Sequence, residues 1–390
     1  MAFFGVTREK IKEVKPIEGA DRIEMAWLDG TDFQFVVLKG AFKTGDDCLY
    51  FPIDSVIPQE LLKHIGLEGK LAGKDKNRVR TIRMRGQISQ GLVVADKDLA
   101  VDLKAPDGGS LSSEEITERL GVTKYERPEI MEKAGKLVGL PEGQGVYDIE
   151  GADRYTEIAE LLMDKPCVVT EKLNGMHASV TYDGTNIFVN QRNYSIIEES
   201  CRVIFKQQLH RLLRGLFKIR GNTIWKFITQ PKKVIKGFQA QENTFWKAAR
   251  REGLIDLAKS LFERYHEPVA VYGEMIGPGV QKNIYKLSQL TIKLFDVKLL
   301  HSGRFLDASD LKERVSDTAQ FVPVIAHPVT LRSWLAGKTI KEVSNGMSVL
   351  HALTKREGIV IKPMEEAVVP NFGRLILKQR SPEFLAGEKD

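Results

Sequence analysis

Lys172 stands in the run Glu171-Lys172-Leu173-Asn174-Gly175. Around it lie Val168-Val169-Thr170 and Met176-His177-Ala178-Ser179-Val180, both rich in β-favouring residues. Those flanks predict a strand, a polar turn and a second strand, with the lysine at the strand end. A lysine there, braced by a carboxylate and a glycine turn, can act as a nucleophile once its surroundings favour the neutral amine. Gly175 would let backbone and ligand approach closely. Alone, the pentapeptide is a weak signal and reads more readily as an ordinary surface or core lysine.

Further polar runs follow in order: Asn190-Gln191-Arg192-Asn193, Val271-Tyr272-Gly273-Glu274, Lys293-Leu294-Phe295-Asp296, Glu357-Gly358-Ile359-Val360-Ile361-Lys362 and Leu377-Lys378-Gln379-Arg380. Lys362 and Lys378 could place positive charge beside Lys172, where it would stabilise charge growing on phosphate oxygens. Arg192 offers a guanidinium fork that matches phosphate. Mg²⁺ prefers carboxylate, phosphate and water oxygens, which makes Glu357 the best metal-ligand candidate. Phe295 could stack on a base or simply fill a core. Glu357 and Lys362 are five residues apart, so an ideal strand would aim them at opposite faces.

This ordered set resembles the covalent nucleotidyltransferase superfamily of ATP-dependent DNA and RNA ligases and capping guanylyltransferases. The motifs of that superfamily read K-x-D/N-G, F/Y-G-E, an aromatic-Asp pair, E-G-I/V-V/M-x-K and K-x-K/R. The resemblance covers residues 150–385 or thereabouts. It implies that Lys172 becomes a lysyl-AMP and that Lys362 and Lys378 act beside it. It further implies that Glu171, Asn174, Gly175, Arg192, Glu274, Phe295, Lys362 and Lys378 bind the nucleotide. Glu357 would hold Mg²⁺ or Mn²⁺, and Arg192 and Arg380 would meet nucleic acid. Asn174 replaces the commoner Asp, and Arg380 the frequent Lys.

Gly277-Pro278-Gly279-Val280-Gln281-Lys282-Asn283 is similar to a segment of RNA ligases, and Ser381-Pro382-Glu383 to the ending of the Deinococcus-type group. That group carries an N-terminal OB-like domain. The resemblance implies sealing of 3′-OH and 5′-phosphate ends at nicks in duplexes, with RNA on the 3′-OH side and ATP as nucleotide. DNA ligases and capping enzymes commonly carry the OB domain after the catalytic one, and this chain ends soon after Arg380, which disfavours them. An RNA-binding adaptor with a non-catalytic nucleotide pocket is the alternative from another class.

The elements that must position these residues read as α+β. Residues 1–125 show short strands broken by turns, which suggests a small OB-like β-barrel. Ile17-Glu18-Gly19-Ala20-Asp21-Arg22-Ile23-Glu24 and Met84-Arg85-Gly86-Gln87-Ile88-Ser89-Gln90-Gly91 resemble segments of tRNA-binding OB folds. Arg78 and Arg80 would share one strand face, and Arg83 and Arg85 the other, unless a bulge merges them into one nucleic-acid-binding stripe. Turn and breaker clusters over 104–150 mark the interdomain connection, with a short helix near Ser113–Leu120 inside that stretch and the linker proper at 126–150. Residues 151–390 would form the nucleotidyltransferase domain, with helices at Tyr155–Met163, 197–217 and 243–265. Its later strands are expected at 269–275, 290–297, 357–362 and 374–379.

Charge supports a polyanion partner. The net charge is only +6, but residues 201–241 hold ten Lys/Arg, including Arg211 and Arg214, and no Asp or Glu. Residues 70–85 hold seven basic residues against one acidic. Apolar content of 42% and charged content of 28% are those of a globular chain. The histidines show no ligand-like spacing. Cys48, Cys167 and Cys201 form no CxxC, which argues against a disulfide framework or zinc site and fits a reducing compartment. No run approaches the ~20 apolar residues of a membrane span. The expectation is a soluble, intracellular monomer that binds ATP and RNA or an RNA-containing duplex, away from membranes.

Overall fold

The computed structural model describes residues 4–99, 103, 109–126, 136–197, 243–315 and 320–387. The basic tract with Arg211 and Arg214, the helix expected there and Cys201 lie outside the described residues.

The first half is built on β1 (Thr7–Pro16), β2 (Ile23–Leu28), β3 (Gln34–Leu38), β4 (Asp47–Phe51), β5 (Ser55–Val56), β6 (Thr81–Met84), β7 (Gln87–Gln90), β8 (Leu92–Val94) and β9 (Thr123–Lys124). Five of these form one sheet in the order β3-β2-β1-β4-β8. A bulge between Ile11 and Glu13 bends β1, so one end pairs with β2 and the other with β4. The β6–β7 hairpin returns to β3: Gln34 Nε2 donates to Ile88 O at 2.9 Å and Val36 N to Ser89 Oγ at 3.1 Å. The sheet therefore curls into a nearly closed barrel around Ile11, Leu28, Phe35 and Tyr50. The helix Ser113–Arg119 begins with a capping box between Ser112 and Glu115. It buries Ile116 against Phe51, Ile57 and Leu62.

The second half holds β10 (Lys136–Val138), β11 (Glu150–Gly151), β12 (Pro166–Lys172), β13 (Met176–Tyr182), β14 (Ile187–Asn190), β15 (Ser195–Ile197), β16 (Val269–Ile276) and β17 (Thr291–Leu299). After these come β18 (Val324–Thr330), β19 (Gly358–Pro363), β20 (Val368–Val369), β21 (Gly373–Arg374) and β22 (Leu377–Arg380). Two sheets result, ordered β10-β15-β14-β13-β16-β17 and β11-β22-β19-β12-β18. The helices Thr244–Arg251 and Leu254–Tyr265 press Trp246, Leu257 and Leu261 onto the first sheet, where Val180, Val271 and Val297 meet them. Asn243 caps the first of these helices, its side chain accepting from the N–H groups of Phe245 and Trp246. The helices Thr156–Glu160, Leu331–Leu335 and Ile340–Ser344 cover the second sheet over Val169, Ile359, Ile361 and Leu377.

Local departures from expectation have local causes. The helix at Tyr155–Met163 shortens to Thr156–Glu160, because Leu161, Leu162 and Met163 donate three residues back and tighten the chain into turns. The strand at 374–379 splits into β21 and β22, where Ile376 N donates to Arg374 O. The basic strand begins only at Thr81, so Arg78 and Arg80 precede it. Among the described residues, no helix is long and apolar enough to cross a membrane.

The halves touch directly. The loop after β2 donates from Asp32 N to Asp153 O at 2.8 Å, accepts at Gly30 O from Thr156 Oγ1 at 3.0 Å, and pairs Asp32 with Lys341 at 3.3 Å. The helix Pro382–Gly387 packs on the β6–β7 hairpin.

Candidate active site

Lys172 ends β12, and its register partner in β19 is Gly358. Its Nζ donates to Glu357 Oε1 at 2.7 Å. Glu357 precedes β19, so strand alternation does not bind it. Its carbonyl accepts from Ser381 N at 2.7 Å, which anchors it beside β22. A Cβ on Gly358 would lie 2.1 Å from Gln379 O, so only glycine lets β19 and β22 close here. Gly175 is as constrained: a Cβ would lie 2.4 Å from Met275 O and 2.8 Å from Glu274 Cγ. In the same turn Asn174 N donates to Tyr285 Oη at 2.7 Å.

Glu274 faces this turn from β16. Burial raises its carboxyl to about 8; Lys172 opposes the rise and Glu357 reinforces it. Glu171 points the other way: its side chain is buried and accepts from Val349 N at 2.8 Å, which ties the loop before β19 to the lysine strand. Burial raises its carboxyl as well. Lys378 lies across the cleft. Burial lowers its pKa, the Asp148 carboxylate opposes this, and Lys172 and Arg380 add to it.

Phe295 is the extra residue of a bulge, since Tyr272 pairs with Asp296 and Gly273 with Leu294. Its ring lies 5.1 Å from Tyr147 and 6.2 Å from His177, in an aromatic wall of the cleft. The bulge also points Asp296 inward, where it is fully buried. Lys362 Nζ contacts Asp296 Oδ1 at 3.0 Å, Leu306 O at 3.0 Å and Glu366 Oε1 at 2.8 Å. Arg374 Nη2 reaches Asp296 Oδ2 at 2.9 Å and Tyr147 Oη donates to the same oxygen at 2.8 Å. Although burial opposes it, Arg374 and Lys362 hold the Asp296 carboxyl below its ordinary value.

The cleft between the halves has a volume of about 2120 Å³. That exceeds the roughly 300–1,000 Å³ of small-molecule sites and leaves room for a polymer beside a nucleotide. Lys172, Glu274, Arg192, Lys362 and Lys378 line it from the second half, and Arg78 and Arg80 from the barrel. Glu357 and Arg380 open onto a smaller cavity of about 130 Å³, shared with Asp54 and Arg78. Arg78 pairs with Asp54 at 2.6 Å and lies 3.7 Å from the Tyr125 ring centroid. Arg380 Nη1 approaches the same carboxylate at 3.9 Å.

The four barrel arginines form no single stripe. Arg83 donates to Gly86 O at 3.0 Å, and Arg85 occupies the hairpin turn with φ 48°. Sequence reasoning passed over Tyr147, Asp148 and Gln144, which come from the expected linker and carry no motif. His177 carries no ligand-like spacing in the sequence. That ring does pack among aromatics but also lines the cleft, and burial lowers its pKa to about 4.

An OB barrel ahead of a two-sheet domain with a lysine in the shared cleft is a ligase architecture, and the comparisons agree. A family model described as an OB-fold domain matches residues 5–95. One described as RNA ligase matches residues 165–380, more than half of the chain. The chain belongs to the RNA ligase family. It is similar to the RNA ligase of Naegleria gruberi, solved as a mutant with AMP and manganese, at 26% identity and a TM-score of 0.73, with 99% of each chain covered. The same enzyme solved with pyrophosphate matches at 26% and 0.73, with 98% of each chain covered. A further mutant with ATP and manganese matches at 26% and 0.73, with 99% of each covered. No curated protein sequence matches.

Proposed function

We propose that this chain is an ATP-dependent RNA ligase that joins 3′-OH and 5′-phosphate ends at nicks in duplexes, with RNA on the 3′-OH side. The observation that carries the reading is the Lys172–Glu357 contact of 2.7 Å beside a cleft shared by both halves, in a chain of the RNA ligase family. The Lys172 amine attacks the α-phosphorus of ATP, forming a P–N bond as the bond to pyrophosphate breaks. Glu357 is the nearest acceptor for the amine's proton. A 5′-phosphate oxygen then displaces Lys172 and takes the AMP as an anhydride. The 3′-OH attacks the strand phosphorus, a phosphodiester forms and AMP leaves.

Lys378 and Arg192 stabilise charge on the phosphates, and Phe295 stacks on the base. Asn174, Gly175 and Glu274 hold the nucleotide beside the lysine. Arg78, Arg80 and Arg380 lie along the path for nucleic acid. Glu357 would hold Mg²⁺ or Mn²⁺, with Glu274 beside it. Among the described residues, no three His, Cys, Asp or Glu are grouped for a metal, which suits an ion bound by one or two carboxylates plus phosphates and waters. Such an ion would offset phosphate charge. The divisions at 1–125, 126–150 and 151–390 and a Deinococcus-type assignment belong to this reading, supported by the order of OB fold before ligase domain. So does an intracellular setting, supported by the buried free thiols of Cys48 and Cys167.

Intact mass after incubation with ATP and Mg²⁺ tests the covalent step. Wild type should gain one AMP and Lys172→Ala none. Nicked duplexes with RNA or DNA on each side then test the strand preference. Wild type that binds RNA but never gains AMP would indicate a nucleic-acid-binding adaptor instead.

A further inference from the structure

Asp148 belongs to none of the motifs, yet it joins two of their cations. Its Oδ2 lies 3.1 Å from Arg192 Nη2 and its Oδ1 3.4 Å from Lys378 Nζ. Arg192 follows β14 of one sheet, and Lys378 sits in β22 of the other. All three line the cleft.

The chain holds this carboxylate in place from both sides. Upstream, the Gln144 amide accepts from Thr181 Oγ1 at 2.6 Å and donates to Ser179 Oγ at 2.9 Å inside the six-stranded sheet's buried polar network. Next to it, a Cβ on Gly143 would lie 2.8 Å from Leu300 O, so the backbone is pressed against the residue that follows β17. Adjacent to Asp148, Tyr147 is locked by its 2.8 Å bond to Asp296. Ile149 N donates to Asp148 Oδ1 at 3.0 Å. A carboxylate that met these cations by chance would need none of this anchoring.

Carboxylate and phosphate present similar oxygens to guanidinium and ammonium donors. We infer that Asp148 is a positioning residue: it occupies the anionic place between Arg192 and Lys378, and it yields that place to a phosphate of the incoming nucleotide. The inference rests on the ATP-dependent reading above. Asp148 thereby competes with phosphate but presents both cations in register. Removing its charge exposes the cations fully, which tightens ground-state binding and leaves them free to close on the nucleotide in unproductive poses.

The test is calorimetric binding of ATP in Mg²⁺ to Lys172→Ala protein, with and without Asp148→Asn, where no covalent step interferes. The expected result is ATP binding roughly fivefold tighter with Asp148→Asn, while lysyl-AMP formation at saturating ATP falls about tenfold in the Asp148→Asn protein that retains Lys172. Asp148→Glu, which keeps the charge, should restore wild-type affinity. Asp148→Ser supplies the same neutral test should Asp148→Asn not fold. Unchanged or weaker binding overturns the inference, since a merely structural aspartate would lose affinity and rate together. So does absence of ATP binding to the Lys172→Ala protein. ATP binding with no mass gain in wild type overturns the ligase reading alone.

Discussion

Lys362 Nζ lies 3.0 Å from Asp296 Oδ1, and this contact joins β19 of one ligase-domain sheet to β17 of the other. With Leu306 O and Glu366 Oε1 the ammonium has three acceptors for its three protons. Lys362 is a strut between the two walls of the cleft, whereas Lys378 keeps its ammonium at the cleft itself.

Lys362→Ala should therefore act through stability. It leaves the fully buried Asp296 short of a partner, and breaking a buried pair costs about 3–5 kcal/mol. Lys378→Ala should leave the urea midpoint nearly unchanged and remove most lysyl-AMP formation. Urea unfolding alongside the mass assay separates the two. A Lys362→Ala protein as stable as wild type, but inactive, would return Lys362 to the phosphate.

Gly175→Ala places a methyl 2.4 Å from the Met275 carbonyl, which belongs to a central strand and cannot retreat. The expected cost is about 1–3 kcal/mol, with the Lys172 turn displaced and adenylylation lost. Thermal melting and the mass assay check both parts.

Stability of the metal-free protein should fall as pH rises from about 7 to 8, and Glu274→Gln should flatten that slope. The folded carboxyl titrates at about 8 against an ordinary 4.5, so the native state holds a proton that the unfolded chain has released. The contribution is complete below 4.5 and is lost as pH rises through about 8. His177, lowered from 6.5 to about 4, has the opposite sign: its contribution is present above 6.5 and lost as pH falls towards 4. Denaturant titrations between pH 7 and 8 of wild type against Glu274→Gln isolate Glu274, because the small part of the unfolded chain's His177 still protonated near pH 7 is common to both proteins. A slope unchanged in Glu274→Gln would refute the assignment.

Arg85 and Gly86 both have positive φ, 48° and 79°, in the two-residue turn between β6 and β7. Asparagine suits that conformation better than arginine, so Arg85→Asn should stabilise the protein by about 0.5 kcal/mol. Arg80→Ala, at the cleft, should weaken RNA binding and lower its salt dependence more than Arg85→Asn does. Salt titrations of binding by the two variants decide this.

Much of this protein is determined by local sequence. Period-two runs and turn residues specify the strands, and the order of Lys172, Glu274, Phe295 and Lys378 specifies which of them line the cleft. Ser112 and Glu115 announce their helix, and Gly175 and Gly358 stand where the chain needs no Cβ. What the tertiary structure alone decides is how these groups share charge. Nothing local places Asp296 under Lys362 and Arg374, because that pairing depends on a bulge in β17 and on two sheets meeting. Nothing local lifts Asp148 out of a linker-like stretch to sit between Arg192 and Lys378. Spacing along a strand sets which face a side chain takes, but the partner it meets there comes from residues far away in the chain, and burial then sets the energy of that meeting.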